Sequence, residues 1–264
     1  MAALVRVVTP DALLRRLLYR DGLMLIVDKP AGLPVHAGPG GGDNLETLFD
    51  ALRFGLPHPP ALAHRLDRDT SGCLVLGRHR KALARLGKLF ATGHVEKTYW
   101  AIVEGAPPEC EGRIELPLKK RTAKSGWHMA VDRNGQRAIT DYRLLGSSAG
   151  MSWLEFKPRT GRTHQIRVHA AALGCPILGD RVYGRDGPYG SEEAKPGNDR
   201  THPRSVATVP LHLHARAIAV PLYYPKKPPV VAEAPPPPHM IEALKACGYI
   251  PESGRPVPGR AALA

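Results

Sequence analysis

Apolar positions along this chain fall into short runs separated by clusters of Gly, Pro and charged residues, a spacing that predicts many short strands and few helices. Apolar or alternating runs at Leu23–Val27, Cys73–Leu76, Lys97–Glu104, Ile114–Leu118, Ala138–Leu145, Met151–Lys157 and Leu211–Val220 read as strands. Leu45, Leu48, Phe49 and Leu52 recur with helical spacing and predict a helix near Leu45–Phe54, with Asp43 and Glu46 as its capping box. The same spacing predicts a helix over Lys81–Phe90, with Leu83, Leu86 and Phe90 inward and Lys81, Arg85 and Lys88 outward. Thr163 is placed to cap a helix that runs to Leu173 and closes at Gly174. Leu13, Leu14, Leu17 and Leu18 give Met1–Arg20 an amphipathic helical look. Gly184–Arg204 is polar, rich in Gly and Pro, and reads as a mobile loop, while Pro235–Pro238 reads as a stiff spacer before a short helix, Met240–Cys247.

These elements predict an α+β fold with a mixed, mainly antiparallel central sheet and flanking helices. Residues 1–20 form an N-terminal extension, 21–224 the main domain, and 225–264 a Pro-rich C-terminal extension. Charge narrows the partners: Lys plus Arg number 37 against 24 Asp plus Glu, a net +13, which favours nucleic acid or an acidic surface. No apolar run approaches the ~20 residues that a membrane-spanning helix needs. The N-terminus has no secretory apolar region. Cys73, Cys110, Cys175 and Cys247 lie far apart with no C-x-x-C pair, and read as buried free thiols of a cytoplasmic protein.

The densest chemistry lies in residues 64–72, His-Arg-Leu-Asp-Arg-Asp-Thr-Ser-Gly. A breaker-rich run precedes it (Gly55, Pro57, Pro59, Pro60) and an apolar strand follows, so the charges sit on a loop carried by a rigid scaffold. Taken alone, such a loop is more often a solvated ion-pair network than a site.

The order H-R-L-D-x-x-T-S-G resembles the signature of the RluA family of pseudouridine synthases, which isomerise uridine in RNA. Further segments follow in that family's order: Lys29-Pro30-Ala31-Gly32, Glu96–Gly105, Gly161–His169, Pro176–Gly184 and Leu213-His214-Ala215. The resemblance implies a pseudouridine-synthase-like sheet and makes Asp67 the catalytic residue, Tyr99 the active-site tyrosine and Arg167 the arginine that pairs with Asp67. It further implies substrate contacts from Arg65, His64, Thr70, Lys29, Arg162 and His164, with Leu213 beside the target base. Asp69 falls on a variable position and takes no role. Asp28 stands where Asn is usual, the Gly38–Gly42 run is extra, and the stretch before Asp21 is too short for the S4-type domain of many relatives.

The implied reaction moves uracil from an N1 to a C5 attachment on ribose, without redox change, cofactor or metal. A carboxylate at C1′ serves either as nucleophile or as the base that starts elimination across the sugar. Arg167 would keep that carboxylate charged and aimed, with a fork that Lys does not copy. Tyr99 would stack on the uracil, and the target must leave the RNA stack to arrive. The expectation is therefore an isomerase acting on ribosomal or transfer RNA, as a monomer, without a membrane. One rival is a non-catalytic basic RNA-binding protein, which explains the charge but not Asp67, Tyr99 and Arg167 in family register. The other is a metallohydrolase built on His212, His214, His64 and Asp67, weak in a chain with 12 histidines.

Overall fold

The computed structural model describes residues 8–38, 41–123, 126–185, 187, 189 and 209–251. Most of the expected Gly184–Arg204 loop and the first residues of the N-terminal extension lie outside them. The chain opens with helix α1 (Pro10–Leu14), strands β1 (Leu17–Arg20) and β2 (Met24–Lys29), a 3₁₀ helix (Leu45–Leu52), strands β3 (Ala61–Leu62) and β4 (Ser71–Gly77), and helix α2 (Arg80–Ala91). Next come strands β5 (Glu96–Glu104), β6 (Glu111–Glu115), β7 (Leu118–Ala123), β8 (Gly126–Val131), β9 (Ile139–Ser148) and β10 (Met151–Pro158), then helix α3 (Gln165–Ala172). Strands β11 (Leu213–Val220) and β12 (Val230–Glu233) and helix α4 (Pro238–Ala246) complete the set. The strands are mainly antiparallel and the helices few, the α+β class that the apolar spacing predicts.

Two compact units are woven from this chain. The first takes the described residues up to Lys97 together with His214–Pro237. Its strands run β1-β2-β4-β11, with β3 on β4 and β12 on β11. All pairs are antiparallel except β4 with β11. Every residue of β2 and β4 is buried, and Met24, Ile26, Val75, Leu86, Ile218 and Val220 share one core. The parallel pairing brings Ala215 against Gly72, where an added Cβ would lie 2.3 Å from the Ala215 carbonyl oxygen, so only glycine fits.

The second unit comprises Thr98–Leu213 and the described residues from Pro238 to Pro251. Its strands run β5-β10-β9-β6, while β7 and β8 form a separate two-stranded hairpin. Ala101, Val103, Leu154, Phe156, Ile166 and Leu213 build its main core. The C-terminal helix packs Met240 and Leu244 against Ile102, and the expected extension thus contributes to packed structure, as β12 does in the first unit. Gly146 lets the chain pass: a Cβ there would lie 1.8 Å from the Cys247 carbonyl oxygen.

Several local expectations are corrected. Leu17–Arg20 is a strand rather than the end of a helix, because it pairs with β2. The Asp43–Glu46 capping box does not form: the Leu45 and Glu46 amides donate to the Pro34 and Val35 carbonyls, Asn44 is the N-cap, and the helix is 3₁₀. Thr163 does not cap α3. His164 holds that position in the left-handed region (φ 53°), and the Gln165 side chain accepts from the Arg162 amide instead. The predicted strand Ile114–Leu118 is two strands broken at Leu116–Pro117. Cys110 is exposed, while the other cysteines are buried.

Candidate active site

In the first unit, Asp67 sits half-buried on the loop that feeds β4. Its carbonyl accepts from the Thr70 amide at 3.2 Å, closing a turn around the carboxylate. Lys29, at the end of β2, pins this turn from beneath. Its Nζ donates to the carbonyls of Arg68, Pro30 and Leu33, each at 2.8 Å, with no exposed surface. The Gly32 amide donates to the same Arg68 carbonyl at 3.0 Å. Burial pushes the Lys29 ammonium down to about 7, against the opposing charges of Asp69, Asp67 and Asp28. Burial likewise pushes the Asp28 carboxyl up to about 6, although Arg16 (Nη1 to Oδ2, 2.6 Å) and Lys29 favour its charged form.

The turn is tied to the sheet on its other side. Ser71 Oγ lies 2.9 Å from His214 Nδ1, and His214 Nε2 lies 3.1 Å from the Ala234 carbonyl. That carbonyl requires an Nε2–H donor, so Nδ1 accepts from the serine. The T-S-G end of one segment and the L-H-A segment are thus parts of one hydrogen-bonded strand pair.

In the second unit, α3 presents Arg167 to Asp180 as a buried fork. Nε meets Oδ2 and Nη2 meets Oδ1, both at 2.7 Å. Burial alone would raise the Asp180 carboxyl, but the Arg167 hydrogen bonds and charge, with the Tyr183 and Val182 amides, hold it below the usual carboxylate range. The guanidinium carbon lies 5.1 Å from the Tyr183 ring centroid. Arg167 is therefore fixed in two planes, by a carboxylate along its edge and an aromatic ring at its face. Tyr99, opposite Phe156 on β10, packs partly buried on the cluster that holds Leu213.

Some residues expected to touch RNA are placed elsewhere. Lys29 has no exposed surface and donates to backbone carbonyls, and Thr70 is 2% exposed with its amide on the Asp67 carbonyl. His64 stacks on Phe90 (4.4 Å) and its Nε2 accepts from the Val75 amide at 3.0 Å. Burial of the ring, aided by Lys97, pushes its imidazolium down to about 3, which keeps Nε2 an acceptor. Leu213 is a core residue, 3% exposed. Arg65 and Arg162 are exposed, with Arg162 Nε donating to the Arg137 carbonyl. His164 is half-buried, with Nδ1 2.8 Å from the Tyr183 hydroxyl. Asp180, the buried partner of Arg167, was missed from the sequence, although the spacing P-I-x-G-D-x-x-Y-G contained it. His212 Nδ1 meets the Pro210 carbonyl at 2.8 Å, and among the described residues no group of three or more His, Cys, Asp or Glu is arranged to hold a metal.

The first unit thus carries a half-buried Asp67 carboxylate on a braced turn, and the second a buried Arg167–Asp180 pair. Comparison gives the class. The RNA pseudouridylate synthase family profile matches residues 23–172. An uncharacterized RNA pseudouridine synthase of Zymomonas mobilis is 44% identical over 225 residues, covering 84% of this chain and 94% of that protein. A mitochondrial pseudouridylate synthase of Bos taurus is 31% identical over 268 residues, covering 91% of this chain and 71% of that protein. The solved structure of human RNA pseudouridylate synthase domain containing 4 superposes with a TM-score of 0.70 at 30% identity, covering 90% of this chain and 95% of that one. The chain belongs to the RluA-type RNA pseudouridine synthase family, whose members are isomerases.

Proposed function

We propose that this enzyme converts a uridine of structured ribosomal or transfer RNA to pseudouridine, with Asp67 as the group that acts at the sugar. The observation that carries the reading is the Asp67 turn: a backbone held by Lys29 and the Thr70 amide, with a half-buried carboxylate on its first residue. A nucleophile or base is useful only if its supporting shell is rigid, and three hydrogen bonds from one buried lysine supply that rigidity.

In the nucleophilic route an Asp67 oxygen bonds to C1′ as the C1′–N1 pair leaves with uracil. The base then turns, C5 bonds to C1′ as the aspartyl oxygen departs, and C5 loses its proton while N1 gains one. In the elimination route Asp67 instead takes the C2′ proton as N1 leaves and returns it to C2′ as C5 bonds to C1′, after which C5 loses its proton and N1 gains one. Both end in the same isomer with no net change in atoms. Tyr99 is proposed to stack on the turned uracil, and Arg167 to hold the charge on the reacting carboxylate in place. Tritium release from RNA labelled at uracil C5, with wild-type protein and RNA lacking this modification, tests the reading. Release with stoichiometric pseudouridine supports it, and RNA bound without release contradicts it.

A further inference from the structure

Apart from its reacting residues, the second unit carries an aromatic and basic cluster on the β7–β8 hairpin. Its register pairs Thr122 with Trp127 and Lys120 with Met129, so period two puts Lys120 and Trp127 on one face. Trp127 is 48% exposed yet well held. The His164 imidazole stacks on it at 5.2 Å and 21°, and Lys120 Nζ lies 4.9 Å from its ring centroid. The hairpin is tied down by Tyr183, whose hydroxyl accepts from the Met129 amide at 2.9 Å and meets His164 Nδ1 at 2.8 Å. Exposed Lys119, Lys120, Arg121, Arg133, Arg137 and Arg162 belong to the same stretch of chain and the turn before α3.

A soluble protein has little reason to hold an indole rigid in water, and a basic rim around it suits one class of ligand. A single-stranded nucleic acid offers a π-face at every base and a phosphate between bases, so a fixed aromatic ring stacks and the cations take the backbone. The His164 stack fixes the indole in advance, so little side-chain entropy remains to be lost on binding. We propose that Trp127 is a stacking platform for an unpaired base of the RNA substrate, with Lys120 taking an adjoining phosphate. This rests on the RNA-isomerase reading and adds a recognition point outside the reacting groups. It also gives that point a mechanical link to them, because Tyr183 contacts both His164 and Arg167.

The test uses the full chain and a short single-stranded oligouridylate, with affinity measured across a salt series for wild type, Trp127→Ala, Trp127→Phe and Lys120→Ala. Trp127→Ala is expected to bind about 5- to 150-fold more weakly, the worth of one base–aromatic stack. Its slope of log affinity against log salt is expected to stay unchanged, and Trp127→Phe is expected to recover most of the loss. Lys120→Ala is expected to flatten that slope by about 0.7, one phosphate contact on a single strand. Equal binding by Trp127→Ala and wild type overturns the platform, as does a loss that Trp127→Phe shares in full. The readout needs no turnover. Wild type that binds with this signature but releases no tritium from any RNA overturns the isomerase reading and leaves the platform standing.

Discussion

Lys29 Nζ reaches the carbonyl of Arg68 at 2.8 Å, one residue beyond Asp67, and binds the Pro30 and Leu33 carbonyls at the same distance. One buried ammonium therefore joins the K-P-A-G turn to the Asp67 turn. Replacing it with an apolar chain of similar length strands the Pro30 and Leu33 carbonyls, at about 1–3 kcal/mol for each that water does not reach, while the Arg68 carbonyl keeps the Gly32 amide. Lys29→Met is predicted to lower the unfolding free energy in urea by about 1–3 kcal/mol, because relief of the buried charge offsets part of the loss, and to slow single-turnover tritium release. Wild-type activity and stability in this variant would show that the turn holds itself.

Asp28 gives a pH signature of unusual sign. Its folded value, about 6, lies above its ordinary value of 3.8 because burial penalises the carboxylate more than Arg16 and Lys29 repay. The native state thus holds the proton more tightly, and the associated stability is present below about 4 and lost as pH rises through 6. Relative to Asp28→Asn, wild type is predicted to lose stability between pH 4 and 6.5, by up to about 3 kcal/mol if the whole displacement is expressed. Denaturant melts of both proteins across that range check it. A difference that grows with pH would mean the Arg16 pair dominates.

Arg167 and Asp180 form a pair that neither can leave cheaply. Removing one partner of a buried ion pair costs about 3–5 kcal/mol, and Asp180→Ala is predicted to lose that much by urea unfolding. Because the Asp180 carboxyl is held below its usual range, the stability it contributes is present at neutral pH and is lost as pH falls through its folded value. Arg167→Lys keeps the charge but not the fork. It is predicted to fold and to lose about tenfold or more in kcat, about 1.4 kcal/mol of barrier. An Arg167→Lys enzyme with unaltered kcat would make the fork structural alone.

Gly72 combines φ +105° with an Ala215 carbonyl oxygen 2.3 Å from where a Cβ would sit. Strain at such a φ costs about 1–3 kcal/mol even without the clash. Gly72→Ala is predicted to destabilise by more than that and to loosen β4 from β11, seen as faster amide exchange at Ser71–Cys73. Unchanged exchange there would contradict it.

The strands and the amphipathic α2 were legible because burial imposes periods of two and 3.6 on the sequence directly. What stayed hidden was set by partners without a side-chain signature. Lys29 was expected to contact substrate, and its bracing of the turn left no trace in the sequence because its acceptors are backbone carbonyls, which every residue has. The Asp43 cap failed because the Pro34 and Val35 carbonyls took the amides it would have bonded. Leu17 and Leu18 fit a helix or a strand equally, and only pairing with β2 decides. Asp67, Tyr99 and Arg167 were named through the resemblance, whereas the Arg167–Asp180 pair emerged only once the 180–183 turn was seen folded against α3.

Asp69 provides an internal control for Asp67: both are half-buried on the same loop, and the resemblance gives a role to only one. Single-turnover tritium release on modification-free RNA, with Asp67→Asn and Asp69→Asn beside wild type, separates them. Asp67→Asn is predicted to fold, to bind RNA and to release no tritium above background, a loss beyond the 10²–10⁴-fold typical of a displaced acid or base. Asp69→Asn is predicted to stay within about tenfold of wild type, a barrier change of about 1.4 kcal/mol. Release by Asp67→Asn at a rate near wild type would contradict the assignment of the reacting carboxylate.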